Sequence, residues 1–182
     1  VNAFLLAQSG EGSTSSSVEN PAGLVVRAIR PDDAGLLEDF GAHLSATSRY
    51  QRFFSPRGFL PGEVRRLTAV DPSIEVALIA SSHTAGREEM VGVARYVAVP
   101  DGTSCEMAIV IADAWQHQGL GRHLLERLIE EAGRHGIERM EGMVLVSNKG
   151  MQALAAKLGF RLSRIPHDSL VLRISKTLGA LH

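Results

Sequence analysis

One stretch, residues 105–125, reads CEMAIVIADAWQHQGLGRHLL and constrains this chain more than any other. Its first seven residues form an extended apolar run carrying one acidic side chain, Glu106. The run then passes Asp113 and Trp115 to reach Gln116-His117-Gln118-Gly119-Leu120-Gly121. Beyond it, Leu120, Leu124, Leu128 and Ala132 recur at helical spacing, flanked by Leu125 and Ile129, which predicts a helix with one apolar stripe. A strand, a glycine turn and a helix N-terminus in succession make a seat for a phosphate group. The first N–H groups of a helix have no internal partner, and the aligned peptide dipoles favour an anion there. Gly119 and Gly121 would let a ligand approach the backbone.

A glycine pair at a helix start also has a purely structural explanation. The dinucleotide fingerprint fits poorly, because a third glycine and the later ribose-binding acid are missing and the run comes late in the chain. No GxxxxGK[ST] loop exists either.

The chain has 182 residues, enough for one domain with a proper core. Its 20 acidic and 19 basic residues leave a formal net charge of -1, which gives no electrostatic case for nucleic-acid binding. Cys105 is the only cysteine, so no internal disulfide and no cysteine-rich zinc site can form. A reducing cytoplasmic setting is the expectation. No apolar run reaches the length of a membrane span, and the opening VNAFLLAQSG lacks the basic flank of a signal peptide.

Residues 1–23, rich in Ser and Gly, read as a flexible tail or linker, and 24–182 as the folded domain. A first strand is expected at 24–29, then a helix starting near Pro31 with Asp32 as its N-cap. Short helices follow at 45–54 and 63–70. Residues 75–80 and 90–99 read as antiparallel strands joined by a polar turn at 81–89. After the long helix come a strand at 139–146, a helix at 149–158 ended by Gly159, and strands at 160–165 and 170–174. This order is mixed α/β, with more hairpins than a purely parallel sheet accommodates.

Glu106 is the leading candidate for chemistry. Alternation places it on one strand face with Ala108 and Val110. Near an apolar core it would suit a general base; at a strand edge it would be a solvated or ion-paired residue. His117 has no second histidine or carboxylate at ligand spacing, so a metal site is not expected. Ser45 and Ser147 lack a His/Asp arrangement for hydrolase chemistry. Asn148, ahead of a helix carrying Met151, Leu154 and Leu158, is a natural N-cap.

Taken together, these residues resemble the GNAT (GCN5-related N-acetyltransferase) superfamily, whose cofactor motif Q/R-x-x-G-x-G/A stands here as Gln116 to Gly121. The resemblance runs from about residue 25 to 174. It is nearest to bacterial protein lysine acetyltransferases that modify acyl-CoA synthetases. It is carried by Arg49-Tyr50-Gln51-Arg52-Phe53-Phe54, Val70-Asp71, Ala94-Arg95-Tyr96, Glu106, Trp115-Gln116 and the Asn148…Met151…Leu158-Gly159-Phe160 pattern. It implies an α/β GNAT fold: a mixed, mostly antiparallel sheet splayed between the fourth and fifth strands, with helices on both faces. Acetyl-CoA is the implied cosubstrate, without a metal. The cofactor would be bound along Gln116, His117, Gln118, Gly119, Leu120, Gly121 and Arg122, its pyrophosphate on the turn from Gln118 to Arg122. Its thioester arm would run along Ala108, Ile109, Val110 and Ile111, with the developing oxyanion at the Ile109 or Val110 amide, and Asn148 and Met151 nearby. Glu106 would be the base toward a lysine amine, and Arg49, Tyr50 and Phe54 would help form the acceptor site. Ala155 occupies the position where many relatives place a tyrosine acid. The implied acceptor is a protein lysine, an acyl-CoA synthetase being the favoured partner. A small amine, or a non-catalytic role sensing acyl-CoA, are the alternatives.

Overall fold

The computed structural model describes residues 23–59, 62–84, 86–100 and 102–179. The expected tail lies outside the described residues except for Gly23. Seven strands form one sheet: β1 (Leu24–Ala28), β2 (Glu75–Thr84), β3 (Arg87–Ala98), β4 (Ser104–Ile111), β5 (Arg139–Leu145), β6 (Arg161–Ile165) and β7 (Asp168–Thr177). Their spatial order is β1-β2-β3-β4-β5-β7-β6. Every neighbouring pair is antiparallel except β4 and β5.

Period-two alternation sends the two sides of each strand into different helix layers. On one face, Ala77, Ile79, Val93 and Val110 pack against Leu37, Phe40 and Leu44 of the α1 segment and Val64 and Leu67 of α3. Here α1 is Ala34–His43, α2 is Ala46–Phe53 and α3 is Glu63–Thr68. On the other face, Leu78, Ala94, Cys105 and Met107 meet α4 (Leu120–Arg134), with α5 (Lys149–Lys157) further along. The apolar stripe read from the sequence is the buried one: Leu120, Leu124, Leu125, Leu128 and Ala132 are all at most 1 % exposed. Each such leucine contributes about 1.5–3 kcal/mol by leaving water, so α4 is pinned to the sheet and its N-terminus is fixed with it.

Three expectations are corrected. The polar run 81–89 is mostly strand, because Ser81 and Ser82 are buried within the β2–β3 ladder and the chain reverses only near Gly86, at φ +78°. Polarity there marked buried hydroxyls, not a turn. Asp32 does not cap α1. A 3-10 turn at Pro31–Asp33 comes first, and the buried carboxylate of Asp33 accepts the Arg30 N–H and both Arg27 guanidinium N–H groups, each at 2.7 Å. β7 is longer than 170–174 because it pairs along all of β5 and along β6. Gly159 takes the left-handed conformation expected after a helix, at φ +78°.

Burial pushes the Asp33 carboxyl upward, but the hydrogen bonds from Arg27 and from the Arg30 N–H outweigh it and hold the group below the usual carboxylate value. A depressed carboxylate stabilises the fold fully above its unfolded value near 4 and loses that contribution as pH falls through its folded value. Asp33→Asn should therefore cost roughly 2–4 kcal/mol at neutral pH, a little less than a wholly buried pair. The difference from wild type, read by urea unfolding, should shrink steadily between pH 5 and pH 2 (roughly the titration range of such a group). A difference independent of pH would contradict this assignment.

Candidate active site in the gap between strands four and five

β4 and β5 are hydrogen-bonded neighbours only at Ser104↔Arg139, Cys105↔Met140 and Glu106↔Glu141; beyond that register they part. The backbone of β4 shows what the parting exposes. At one end Ala112 N–H donates to the Val91 carbonyl, and at the other Val99 N–H donates to the Ser104 carbonyl. Antiparallel bonding alternates along a strand, so the even-numbered residues Glu106, Ala108 and Val110 direct their peptide groups to β3. Ile109 and Ile111 direct theirs toward β5, which has by then turned away. Of the two amides expected to meet a thioester oxygen, Ile109's faces the gap, while Val110's is committed to β3. The Val110 assignment as a donor is corrected on that ground. The Ile111 carbonyl on the open side is taken by the Gln116 side-chain amide at 3.0 Å.

The gap continues into a cleft of about 780 Å³. Glu106, Ala108, Ile109, Val110 and Ile111 line it from β4; Gln116, His117, Gly119, Gly121 and Arg122 from the turn and α4; Asn148 and Met151 from α5; and Phe54 from the end of α2. Four expected residues are not among its lining. Gln118 turns its amide back onto the Ala114 carbonyl at 2.7 Å. Leu120 is sunk in the core because its side chain starts the apolar stripe. Tyr50 is exposed and Arg49 lies outside the cleft wall, because the α2 face that turns inward is Ser48, Gln51 and Arg52, at i, i+3 and i+4. That spacing was present in the sequence and identifies the inward face once one member is placed. The sequence also gave no sign of the β5 wall, Glu141, Gly142, Met143 and Val144, nor of Arg173 from β7. The β5 positions enter through its parallel register with β4 and Arg173 through the β5–β7 pairing, neither of which a local pattern encodes.

Neither Arg95 nor Tyr96 faces the cleft. Arg95 is buried in the α1–α3 layer, paired with Glu75 at 2.5 Å and donating to the Leu67 carbonyl at 2.8 Å. Tyr96 reaches His135 on the opposite side, at 3.0 Å. Glu106 is exposed, so the apolar burial expected from its sequence neighbours is absent. It shares its register with Glu141, which ion-pairs with Arg139 at 3.2 Å. Cys105 is buried against the other layer, and burial pushes its thiol up to about 12, so it cannot serve as a nucleophile near neutral pH.

The turn before α4 is held in an unusual backbone shape, with His117 at φ +60° and Gly119 at φ +87°. A single network ties it to α2. The Asp113 carboxylate accepts Ser45 N–H at 2.9 Å, the Ser45 hydroxyl at 2.6 Å and the Ser48 hydroxyl at 2.8 Å. Gln116 donates to Ser48 Oγ at 3.1 Å as well as to Ile111. Burial raises the Asp113 pKa, but the hydrogen bonds from Ser45 and Ser48 outweigh it and hold the carboxyl below its usual value. Arg122 sits at the rim and is partnered by Glu126 at 2.8 Å, so only part of its charge is available to a ligand. The Asn148 side-chain oxygen Oδ1 accepts Met151 N–H at 3.0 Å and caps α5. Ala155 is fully buried. Among the described residues no group of three His, Cys, Asp or Glu side chains could hold a metal ion, and no helix is long and apolar enough to cross a membrane.

A parallel pair that separates beside a glycine turn at a helix N-terminus is the arrangement of a CoA-dependent acyltransferase. The family model described as Acetyltransferase (GNAT) family matches residues 48–160, and the chain belongs to that family. It is an N-acetyltransferase, and acetyl-CoA is its acyl donor. It is 31% identical over 154 residues to Acetyltransferase PA5475 of Pseudomonas aeruginosa, covering 84% of this chain and 83% of that protein. The crystal structure of the GNAT domain of S. lividans PAT superposes with a TM-score of 0.76 at 30% identity, over 85% of this chain and 90% of that one. Acetyltransferase Pat of Mycolicibacterium smegmatis is 26% identical over 135 residues, which span 74% of this chain but 40% of that longer protein.

Gly142 marks where the strands part. A Cβ there would lie 3.1 Å from the Met107 carbonyl oxygen, a backbone atom that cannot step aside alone. Gly142→Val should cost about 1–3 kcal/mol through overpacking and shift β4 against β5. Calorimetry should show acetyl-CoA binding weakened by about tenfold or more, the equivalent of about 1.4 kcal/mol. Unchanged affinity in a folded variant would mean that the cofactor does not use this gap.

Proposed function

We propose that this acetyltransferase modifies lysine side chains on protein substrates, with Glu106 as general base and an acyl-CoA synthetase as the favoured target. The observation that carries the reading is the position of Glu106: an exposed carboxylate on the last paired residue of β4, lining the cleft beside the open Ile109 amide. Glu141 stands next to it but is ion-paired with Arg139, whereas no ion pair involves Glu106 among the described residues. The exposed apolar side chains of Phe54 and Met143 on the cleft walls suit contact with a folded partner, as does Tyr50 on the same helix as the α2 wall. The preference for an acyl-CoA synthetase rests on the ordered motifs that resemble bacterial protein lysine acetyltransferases.

In this reading the backbone does most of the binding. The unpaired N–H groups at the start of α4, reached past Gly119 and Gly121, receive the pyrophosphate. Acetyl-CoA supplies an activated thioester. A lysine ammonium, with an ordinary pKa near 10.4, must lose a proton before it can attack. Glu106 accepts that proton directly or through one water, and the amine adds to the thioester carbon. Ile109 N–H donates to the oxygen that gains negative charge. The carbon–sulfur bond then breaks, and the leaving thiolate takes its proton from water, since no tyrosine among the described residues lines the cleft. Cys105 forms no acyl intermediate, consistent with direct transfer.

Glu106→Gln should lower turnover roughly 10²–10³-fold near neutral pH, the range for loss of a general base, while acetyl-CoA affinity stays within about twofold. Glu141→Gln should change turnover far less. Equal turnover in wild type and Glu106→Gln would remove Glu106 from the mechanism. The acceptor is read by incubating the protein with isotopically labelled acetyl-CoA and a cell extract, then mapping the label by mass spectrometry. Label on lysines of an acyl-CoA synthetase is the expected result. Label confined to small amines would transfer the assignment to the small-molecule alternative.

A further inference from the structure

Arg52 is a cation in the cleft wall that the fold leaves without a carboxylate. Several other arginines are ion-paired: Arg27 with Asp33 and Glu88, Arg95 with Glu75, Arg122 with Glu126 and Arg139 with Glu141. Among the described residues Arg52 is in no ion pair; Glu63 acts on it only electrostatically, and its guanidinium lies 5.0 Å from the centre of the Phe53 ring. The group is half-buried in the α2 wall, and water there screens it less than it screens the exposed Arg173 on the β7 side of the same cleft. Burial, together with repulsion from Arg95, pushes its pKa down to about 10, with Glu63 acting in the opposite sense; it remains charged at neutral pH. Holding such a cation has a cost that an anion placed in the cleft would offset.

The position is also specific. Arg95, the neighbour that repels Arg52, lies directly across from Ala108 in the β3–β4 ladder. Arg52 therefore approaches β4 on the strand face shared by Glu106, Ala108 and Val110, and it lines the same cleft as the proposed base. A guanidinium presents a planar fork of N–H donors whose geometry matches a carboxylate, which a lysine ammonium would not reproduce.

We propose that Arg52 is the recognition point for a carboxylate carried by a substrate. Its source is either the far end of a dicarboxylic acyl group or an acidic side chain beside the acceptor amine. The inference rests on the cleft being the acyl-transfer site described above, and it adds a charge preference which that reading does not require.

Two matched pairs test it by calorimetry on the full chain. One pair is acetyl-CoA against succinyl-CoA. The other, with the protein saturated in CoA, is a lysine peptide flanked by Glu against the same peptide flanked by Gln. In one of the pairs the carboxylate-bearing member should bind about tenfold more tightly. Arg52→Gln should erase that preference and Arg52→Lys should keep only part of it. Preference in the first pair assigns the carboxylate to the acyl donor, and preference in the second to the acceptor. The proposal is overturned if wild type distinguishes neither pair, or if Arg52→Gln keeps the preference; the wild-type comparison stands even if a variant fails to fold. Binding is read instead of transfer, so a chain that shows the preference yet acetylates nothing would refute the transfer mechanism and leave the role of Arg52 intact.

Discussion

The separation of β4 from β5 is the constraint on which the rest of the structure depends. Two parallel strands stay paired for three residues and then diverge, leaving one edge of β4 with peptide groups that no neighbouring strand satisfies. In a closed sheet such groups would be costly, because a buried N–H without a partner forfeits a hydrogen bond. Here they face a cleft large enough for a cofactor. The unmet hydrogen-bonding capacity is the binding site, and its direction follows from strand parity: Ile109 is open and Val110 is not.

Two features keep the strands apart at the right place. On the β5 side, Gly142 lets the backbone pass close to the Met107 carbonyl where pairing ends. On the other side, α4 is held to the sheet by a fully buried leucine stripe, which sets its N-terminus and the glycine turn at the cleft wall. The Asp113 carboxylate then joins that turn to α2 through Ser45 and Ser48, with Gln116 bridging to the open edge of β4. Acceptor wall, cofactor turn and the strand that presents the thioester are thus joined by one chain of hydrogen bonds. Its members are polar side chains on three different segments, so displacement of any one is felt by the others.

How much of this was legible in the sequence varied with the range of the interaction. The α4 stripe, the Asn148 cap and the left-handed Gly159 were readable because each is decided within a few residues. The glycine turn was readable for the same reason. The buried hydroxyls of Ser81 and Ser82 were misread as a turn, since burial of a small polar group depends on the neighbouring strand and leaves no local trace. The inward face of α2 was only partly read: Arg52 and Phe54 line the cleft with Ser48 and Gln51, whereas Arg49 and Tyr50 do not. Helical spacing offers several candidate faces, and only tertiary packing selects among them. The β5 wall, including Glu141, was invisible because it enters through pairing between residues far apart in the chain.

The most direct test of this account is amide hydrogen exchange, resolved by residue, with and without acetyl-CoA. The Ile109 amide and the amides of Leu120 and Gly121 should exchange markedly more slowly when the cofactor is bound, while Val110, already bonded to β3, should be nearly unaffected. Saturation with acetyl-CoA that leaves Ile109 and Gly121 unchanged would show that the parted strands and the glycine turn do not hold the cofactor.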